Sequence, residues 1–324
     1  MNNISISFII PYYKVEIQLL HRCLNSLKAF DTIGLDWEAW IIDDGTPDSP
    51  AQSIKETFAD ERIHYLYKAH EGLGKARNRG IEIASKEYIH FLDADDYLYS
   101  DTCTQIIEIL SKEKPQLLAF NLHKEYGLDI KNRDDKRKGI TWKGNGTDFM
   151  THHNLHGSAA GFFVQKNALG TLRFSDIPYH EDEEFTPLLF LSLDNIIITD
   201  IEAYAYYQRG SSLLHEIKEE QLTNRYHSLL TIMNRLREKA TTMPMAQSYA
   251  LNRRVDMLGM AMIYTLITNS PGKKFLSTML SAMRQQGFYP LPNKKHSFLY
   301  VTFRHITYCK HIVYALNKMY RLVH

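Results

Sequence analysis

Two hydrophobic periods alternate along the first hundred residues. Ile4 to Ile10 is a short β-branched run stopped by Pro11. Leu19 to Phe30 places Leu19, Leu20, Cys23, Leu24 and Leu27 at helical spacing. Trp37 to Ile42 predicts a strand ending in Asp43-Asp44-Gly45, and Pro50 to Phe58 a helix. Ile63 to Tyr67 predicts a strand, Leu73 to Ser85 a helix, and Tyr88 to Leu92 a strand. Such alternation predicts an α/β protein, with a mostly parallel sheet flanked by helices. Ligands of open α/β sheets bind beyond the carboxyl ends of the strands. The first strand ends at Pro11-Tyr12-Tyr13, the second at Asp43-Asp44 and the fourth at Asp93-Ala94-Asp95. Polar candidates therefore converge on one edge.

After Asp101 the pattern loosens. Leu117 to Leu122, Gly161 to Gln165, Ile196 to Thr199 and Ala203 to Tyr207 read as extended, and Glu184 to Leu193 as helical. Gly127 to Asn145 is polar and predicts a surface loop. From Glu216 onward helical patterns dominate, interrupted at Pro244, Pro271 and Pro290–Pro292. The expected organisation is a domain over 1–215, with halves 1–112 and 113–215, and a helical basic region over 216–324.

Charge sharpens that division. Residues 221–324 hold fifteen Lys/Arg against Glu238 and Asp256, a charge of +13, which leaves residues 1–220 at −12. An acidic body with a basic C-terminal part points to an anionic surface as partner. No window reaches the ~18 apolar residues of a membrane span. The N-terminus does not read as a signal peptide. Cys23, Cys103 and Cys309 are odd in number and far apart, which argues against a disulfide framework or zinc site and suggests a reducing cytoplasm.

Asp93, Asp95 and Asp96 crowd three carboxylates at the end of an apolar strand. Such a cluster needs positive compensation, or some members hold protons. Asp93 and Asp95 can reach one hard cation, Mn²⁺ or Mg²⁺, which shares its coordination with substrate phosphates. The plainer alternative is that these residues, Asp96 above all, cap the next helix or face solvent. Gly72-Leu73-Gly74 lacks the third glycine of a dinucleotide fingerprint and reads as a turn allowing close backbone approach to a ligand. Glu181 to Glu184 suit a helix N-terminus. His152, His153 and His156 have ligand-like spacing but read as polar loop, since nothing nearby completes a set.

The segments FIIPYYKVE, AWIIDDGTPD, EGLGKARNRGIEIA and YIHFLDADDYL together resemble the family 2 glycosyltransferases, over roughly residues 4–110. The resemblance continues more thinly through YHEDEEFTPLLF and YYQRGSSLLHE. It implies a GT-A fold and an inverting transfer from a nucleotide-diphospho-sugar, a UDP-sugar first. It implies that Pro11, Tyr13 and Glu16 line the base and ribose and that Asp44 hydrogen-bonds the base. It implies that Arg77 reaches the donor, that Asp93 and Asp95 hold the metal, and that Asp182 is the catalytic base. Arg209, Ser212 and His215 match a late segment that holds the diphosphate, with His215 a further metal candidate. Lys14, His70 and Gly74 depart from the family's usual Asn, Asn and Ser.

The expected acceptor is a glycan hydroxyl whose sugar the sequence does not name, and the basic C-terminal part points to a lipid-linked carrier in bacterial surface polysaccharide synthesis. The acid-free stretch from Lys294 to His324 mixes basic, aromatic and aliphatic residues, as a helix lying on an anionic bilayer does. The enzyme is then expected in the cytoplasm, peripheral on the inner face of the membrane. A helical packing domain or dimer interface is the alternative for this region. A sugar nucleotidyltransferase would carry a Gly-rich loop where PYYKVE stands. A non-catalytic nucleotide-sugar-binding scaffold would be expected to lack an intact Asp93, Asp95 and Asp182 set. Nucleic acid is not an expected partner, because the basic part is rich in aliphatic residues.

Overall fold

The computed structural model describes residues 4–131, 138–208 and 218–323. The chain divides into two units, Met1–Gly146 with His156–Glu216, and Thr147–Leu155 with Ile217–His324. Residues 147–155 thus belong with the helical unit, although they lie inside the stretch 113–215 expected as the second half of the first domain.

In the first unit, β1 (Ser5–Tyr12), α1 (Ile17–Leu27), β2 (Asp36–Asp44), α2 (Ala51–Thr57), β3 (Ile63–Lys68), α3 (Leu73–Ile83) and β4 (Tyr88–Phe91) follow the predicted alternation. β5 (Tyr97–Leu98), α4 (Ser100–Glu113), β6 (Leu117–Glu125) and β7 (Ile140–Gly144) come next. After α5 (Gly146–His152), which from Thr147 onward belongs with the helical unit, follow β8 (Phe162–Gln165), α6 (Asp182–Leu191) and β9 (Ile196–Tyr207). The sheet runs β3-β2-β1-β4-β8-β6-β9-β5, with β7 also on β9. β1 pairs parallel with both β2 and β4, and β3 parallel with β2. β8 is antiparallel to β4 and β6, while β6 and β9 run parallel.

The first half of the sheet is therefore parallel and opens its strand ends in one direction, which positions the site. β7 corrects the expected loop over 127–145. Ile140, Thr141 and Trp142 favour an extended chain, and their strand pairs with β9, so the polar residues around them do not exclude a strand.

Burial of apolar residues on both faces drives this arrangement. Phe8 at the centre of β1 stacks on Phe30 at 5.6 Å and meets Trp37, His90 and Phe163 edge-on. His90 is fully buried, and its Nδ1 donates to the Phe162 carbonyl at 3.0 Å. Burial pushes its imidazole down to about 4, so it stays neutral in the core. A Cβ at Gly80 would fall on Ile9 Cγ2, so glycine lets α3 lie directly on β1.

The second unit contains α7 (Glu219–Ala240), α8 (Met245–Asn269), α9 (Lys273–Gln285), α10 (Phe298–Thr307) and α11 (Lys310–Val323). Breaks fall at Pro244, Pro271 and the Pro290–Pro292 stretch, since proline cannot continue a helix. Arg253 of α8 donates to the Met150 and His153 carbonyls at 3.1 and 2.7 Å, and Arg254 to Leu155 at 2.7 Å. These guanidiniums satisfy carbonyls left open at the end of α5. That is why residues 147–155 join the helices. Among the described residues, no helix is long and apolar enough to cross a membrane.

Candidate active site

The end of β1 supplies the first wall. Pro11 lies within β1, opposite Ile42 of β2. Tyr12 turns inward and donates its hydroxyl to the Val15 carbonyl at 2.7 Å. Tyr13 faces outward, its ring stacked on His70 at 4.2 Å. Lys14 adopts φ 51°, and its amide donates to Thr46 Oγ1 at 3.1 Å. This left-handed conformation is one that asparagine tolerates better than lysine, which gives a backbone reason for the family's usual Asn here. Glu16 opens α1: its carbonyl accepts the Leu19 amide at 3.0 Å and its side chain is exposed.

The neighbouring strand end carries Asp43 and Asp44, both buried. Asp43 accepts the Thr46 amide and the Tyr65 hydroxyl, which ties the turn after β2 to β3. Asp44 Oδ1 accepts Lys68 Nζ at 2.5 Å and the Glu71 amide at 3.0 Å. Its Oδ2 accepts the Gly72 amide at 2.8 Å and faces His70 Nδ1 at 2.7 Å. Burial pushes this carboxyl up, but Lys68 and the two amides outweigh it and hold it below its ordinary value. Asp44 was expected on the base itself. Here both its oxygens are spent on shaping the 68–72 turn and aligning His70 against Tyr13.

Arg77, expected to reach the donor, is buried among the chain's own acids. Its guanidinium is 4% exposed and lies beneath the strand ends, over the Phe174 ring. It donates to Asp93 Oδ1 at 3.0 Å and to Glu181 Oε1 at 2.5 Å. Glu181 is 5% exposed, whereas Asp93 is 33% exposed. The physical reason lies in the start of α3. A Cβ at Gly74 would come within 2.7 Å of the Ser175 carbonyl, so α3 presses against the 174–175 segment and Arg77 turns inward. The close approach that Gly72-Leu73-Gly74 allows is thus made to the chain's own backbone.

Glu181 immediately precedes α6, which begins at Asp182. Asp182 is half-buried. Burial first, then the charges of Glu181 and Glu183, push its carboxyl up to about 7; Arg77 opposes them and Asp93 adds to them. A carboxylate in that range is poised as a general base near neutral pH. The arrangement therefore joins the Asp93 strand end to the acidic start of α6 through one buried cation.

Asp96, which the sequence left as a cap or solvent-facing residue, is buried. It accepts the Tyr204 hydroxyl at 2.7 Å and the Tyr207 amide at 2.7 Å. The same Tyr204 hydroxyl accepts the Asp93 amide at 3.1 Å. Burial first, then the charges of Asp93 and Asp95, push Asp96 well above the usual carboxylate range. Arg22 was missed by sequence reasoning. Its Nη2 donates to the Asp95 carbonyl at 2.6 Å, and its guanidinium lies between the Tyr97 and Tyr207 rings. The available signal was a charged residue inside an apolar helical stripe, between Leu20 and Cys23.

This loop concentrates negative charge at a strand end. Two carboxylates one residue apart at this strand end would offer oxygen ligands to a hard divalent cation. Asp93 and Asp95 thus fit Mn²⁺ or Mg²⁺. Among the described residues, no group of three or more His, Cys, Asp or Glu side chains forms a metal site by itself. A cation here would complete its shell with other oxygens. Arg209, Ser212 and His215 lie outside the described residues.

The Glycosyl transferase family 2 profile matches residues 7–171, half of the chain, and the protein belongs to that family. It is a glycosyltransferase with the GT-A fold. A relative, the "Uncharacterized glycosyltransferase EpsJ" of Bacillus subtilis, is 26% identical over 246 residues, covering 71% of this chain and 70% of EpsJ. The structure of S. aureus TarS aligns with a TM-score of 0.63 at 15% identity, over 98% of this chain and 55% of TarS. The chain therefore spans about half of that protein. TarS 1–349 in complex with UDP-GlcNAc aligns with a TM-score of 0.58 at 16% identity, over 98% of this chain and 92% of that one. The mannosyltransferase PcManGT of Pyrobaculum calidifontis, in complex with GDP-Man and Mn²⁺, aligns at 0.57 and 13% identity. That alignment covers 98% of this chain and 86% of PcManGT.

Proposed function

We propose that this glycosyltransferase moves a sugar from a UDP-sugar to a hydroxyl of a glycan acceptor, with inversion at the anomeric carbon. The observation that carries the reading is the Arg77 bridge. It couples Asp93 to Glu181, and so to Asp182, whose carboxyl is pushed up to about 7.

Asp182 takes the proton from the acceptor hydroxyl as that oxygen attacks the anomeric carbon. The bond to the diphosphate oxygen breaks, and the diphosphate leaves with the electron pair. One displacement inverts the centre, and no covalent enzyme intermediate is needed. Mn²⁺ or Mg²⁺ held by Asp93 and Asp95, with His215 as a further candidate, would supply charge neutralisation at the diphosphate. Arg77 keeps Asp93 fixed for that purpose. The Tyr13 ring, with Pro11 and Glu16 beside it, receives the base and ribose, and Asp44 shapes the turn that holds His70 against Tyr13. Arg209 and Ser212 are assigned to the diphosphate.

The UDP-GlcNAc held by TarS supports a uridine donor. The GDP-Man held by PcManGT makes guanosine donors the proper competitors in a test. The acceptor is assigned as a lipid-linked glycan of the cell surface, met by the basic C-terminal region at the inner membrane face. The experiment is a nucleotide-release assay over UDP- and GDP-sugars with Mn²⁺, for wild type and Asp182→Asn. We expect the substitution to lower kcat by about 10²–10⁴-fold with KM for the donor nearly unchanged. An unchanged kcat would remove Asp182 from the reaction.

A further inference from the structure

Outside the active site, α11 carries an apolar stripe that points the wrong way for a packing helix. Its inward face is narrow. Val313 is buried, and Asn317 donates to the Ile267 carbonyl at 2.9 Å. Ile312, Ala315, Met319, Leu322 and Val323 recur at three- and four-residue spacing and are all exposed. Met319 is 63% and Leu322 77% exposed. Phe298 and Leu299, at the start of α10, are exposed as well. On a helical projection His311, Lys318 and Arg321 flank one side of the α11 stripe. Beside it, a groove of about 550 Å³ is lined by Lys273, Leu276, Tyr314, Lys318, Arg321 and Leu322. It combines cations with apolar walls.

We propose that this outer face of α11, with the adjoining groove, docks on an anionic lipid bilayer, the groove taking a phosphate headgroup. An apolar stripe with a basic flank is what an interfacial helix presents to anionic lipid. Charge selects this occupant over a second copy of the chain. In a twofold self-contact centred on α11, Lys318 and Arg321 of one copy would lie near Arg321 and Lys318 of the other, and no acid occurs between 294 and 324 to compensate them. The inference deepens the membrane contact named above. It uses none of the transferase residues, so its failure would leave UDP binding untouched.

The test is co-sedimentation of the full chain with vesicles of phosphatidylcholine, or of phosphatidylcholine with about one third phosphatidylglycerol. Wild type should bind the anionic vesicles at least about ten-fold more tightly than the neutral ones, and more weakly as salt rises. Lys318→Gln with Arg321→Gln should cost about five-fold per cation on anionic vesicles. Met319→Glu with Leu322→Glu should abolish binding, with circular dichroism unchanged because both side chains are exposed. Equal binding to both vesicles, absence of binding, or full retention by the Glu variant would each overturn the proposal. Sedimentation velocity adds a further arm. A wild-type dimer dispersed by the Glu pair, without vesicle binding, would assign the face to a second copy and also overturn it.

Discussion

Replacing Arg77 by methionine keeps the bulk of the side chain and removes its charge. Two carboxylates then lose their common partner, and their exposures set the cost. Glu181 and Arg77 are 5% and 4% exposed, so this half is a buried ion pair. Breaking such a pair by removing one partner costs about 3–5 kcal/mol, because a desolvated charge is left behind. Asp93 is 33% exposed, and its half of the bridge is screened to at most about 1 kcal/mol. The expected loss is therefore about 3–5 kcal/mol, nearly all of it owed to Glu181. Adding Glu181→Gln to Arg77→Met should restore a large part of that loss, since the stranded charge is gone. The assay is urea unfolding followed by tryptophan fluorescence. Trp37, Trp40 and Trp142 all lie in the first unit, so the signal reports the part that contains the bridge. A loss under about 1 kcal/mol for Arg77→Met, or a double variant weaker than the single, would refute the account of a buried charge held in place.

The pH dependence of kcat carries a second prediction. Asp182 works only when ionised, and its carboxyl is pushed up to about 7, so the rate should fall as pH falls through that value. Glu183→Gln removes a charge that raises it and should move this acid limb to lower pH; an unmoved limb would assign it to another group. At the end of β1, Lys14→Asn relieves a left-handed lysine and should stabilise the first unit by about 0.5–1 kcal/mol in the same urea assay. Tyr204→Phe strips the hydroxyl shared by the Asp93 amide and Asp96, and should cost about 1–3 kcal/mol. A silent Tyr204→Phe would mean that water replaces the hydroxyl without loss.

The first half of the fold was legible because its strands are apolar runs and its helices carry clear stripes. Three strand ends bearing Tyr13, Asp44 and Asp93 could be aligned from those runs alone. β7 was not legible, since Ile140-Thr141-Trp142 is too short a β-branched and aromatic run to stand out from the polar residues of 127–145 around it. Nor was the transfer of residues 147–155 to the helical unit, which depends on two arginines about a hundred positions away. Within the site, residue types were readable and their partners were not. Arg77 is a lone charge by motif, yet its guanidinium is paired with Asp93 and with Glu181, about a hundred residues later. Asp96 looked like a cap, but its oxygens are claimed by Tyr204 and Tyr207, more than a hundred residues later. Long-range partners leave no local periodicity, so only the folded chain reveals them.

The central claim is that Asp93 and Asp95 bind a nucleotide diphosphate through a divalent cation. Its most direct test is calorimetric titration of UDP into the protein with Mn²⁺ and with EDTA, for wild type and Asp95→Ala. The account predicts Mn²⁺-dependent binding in wild type, weakened about a hundred-fold or more by EDTA or by Asp95→Ala, as loss of a charge-stabilising contact of roughly 3 kcal/mol requires. UDP binding of equal strength in all four titrations would contradict it.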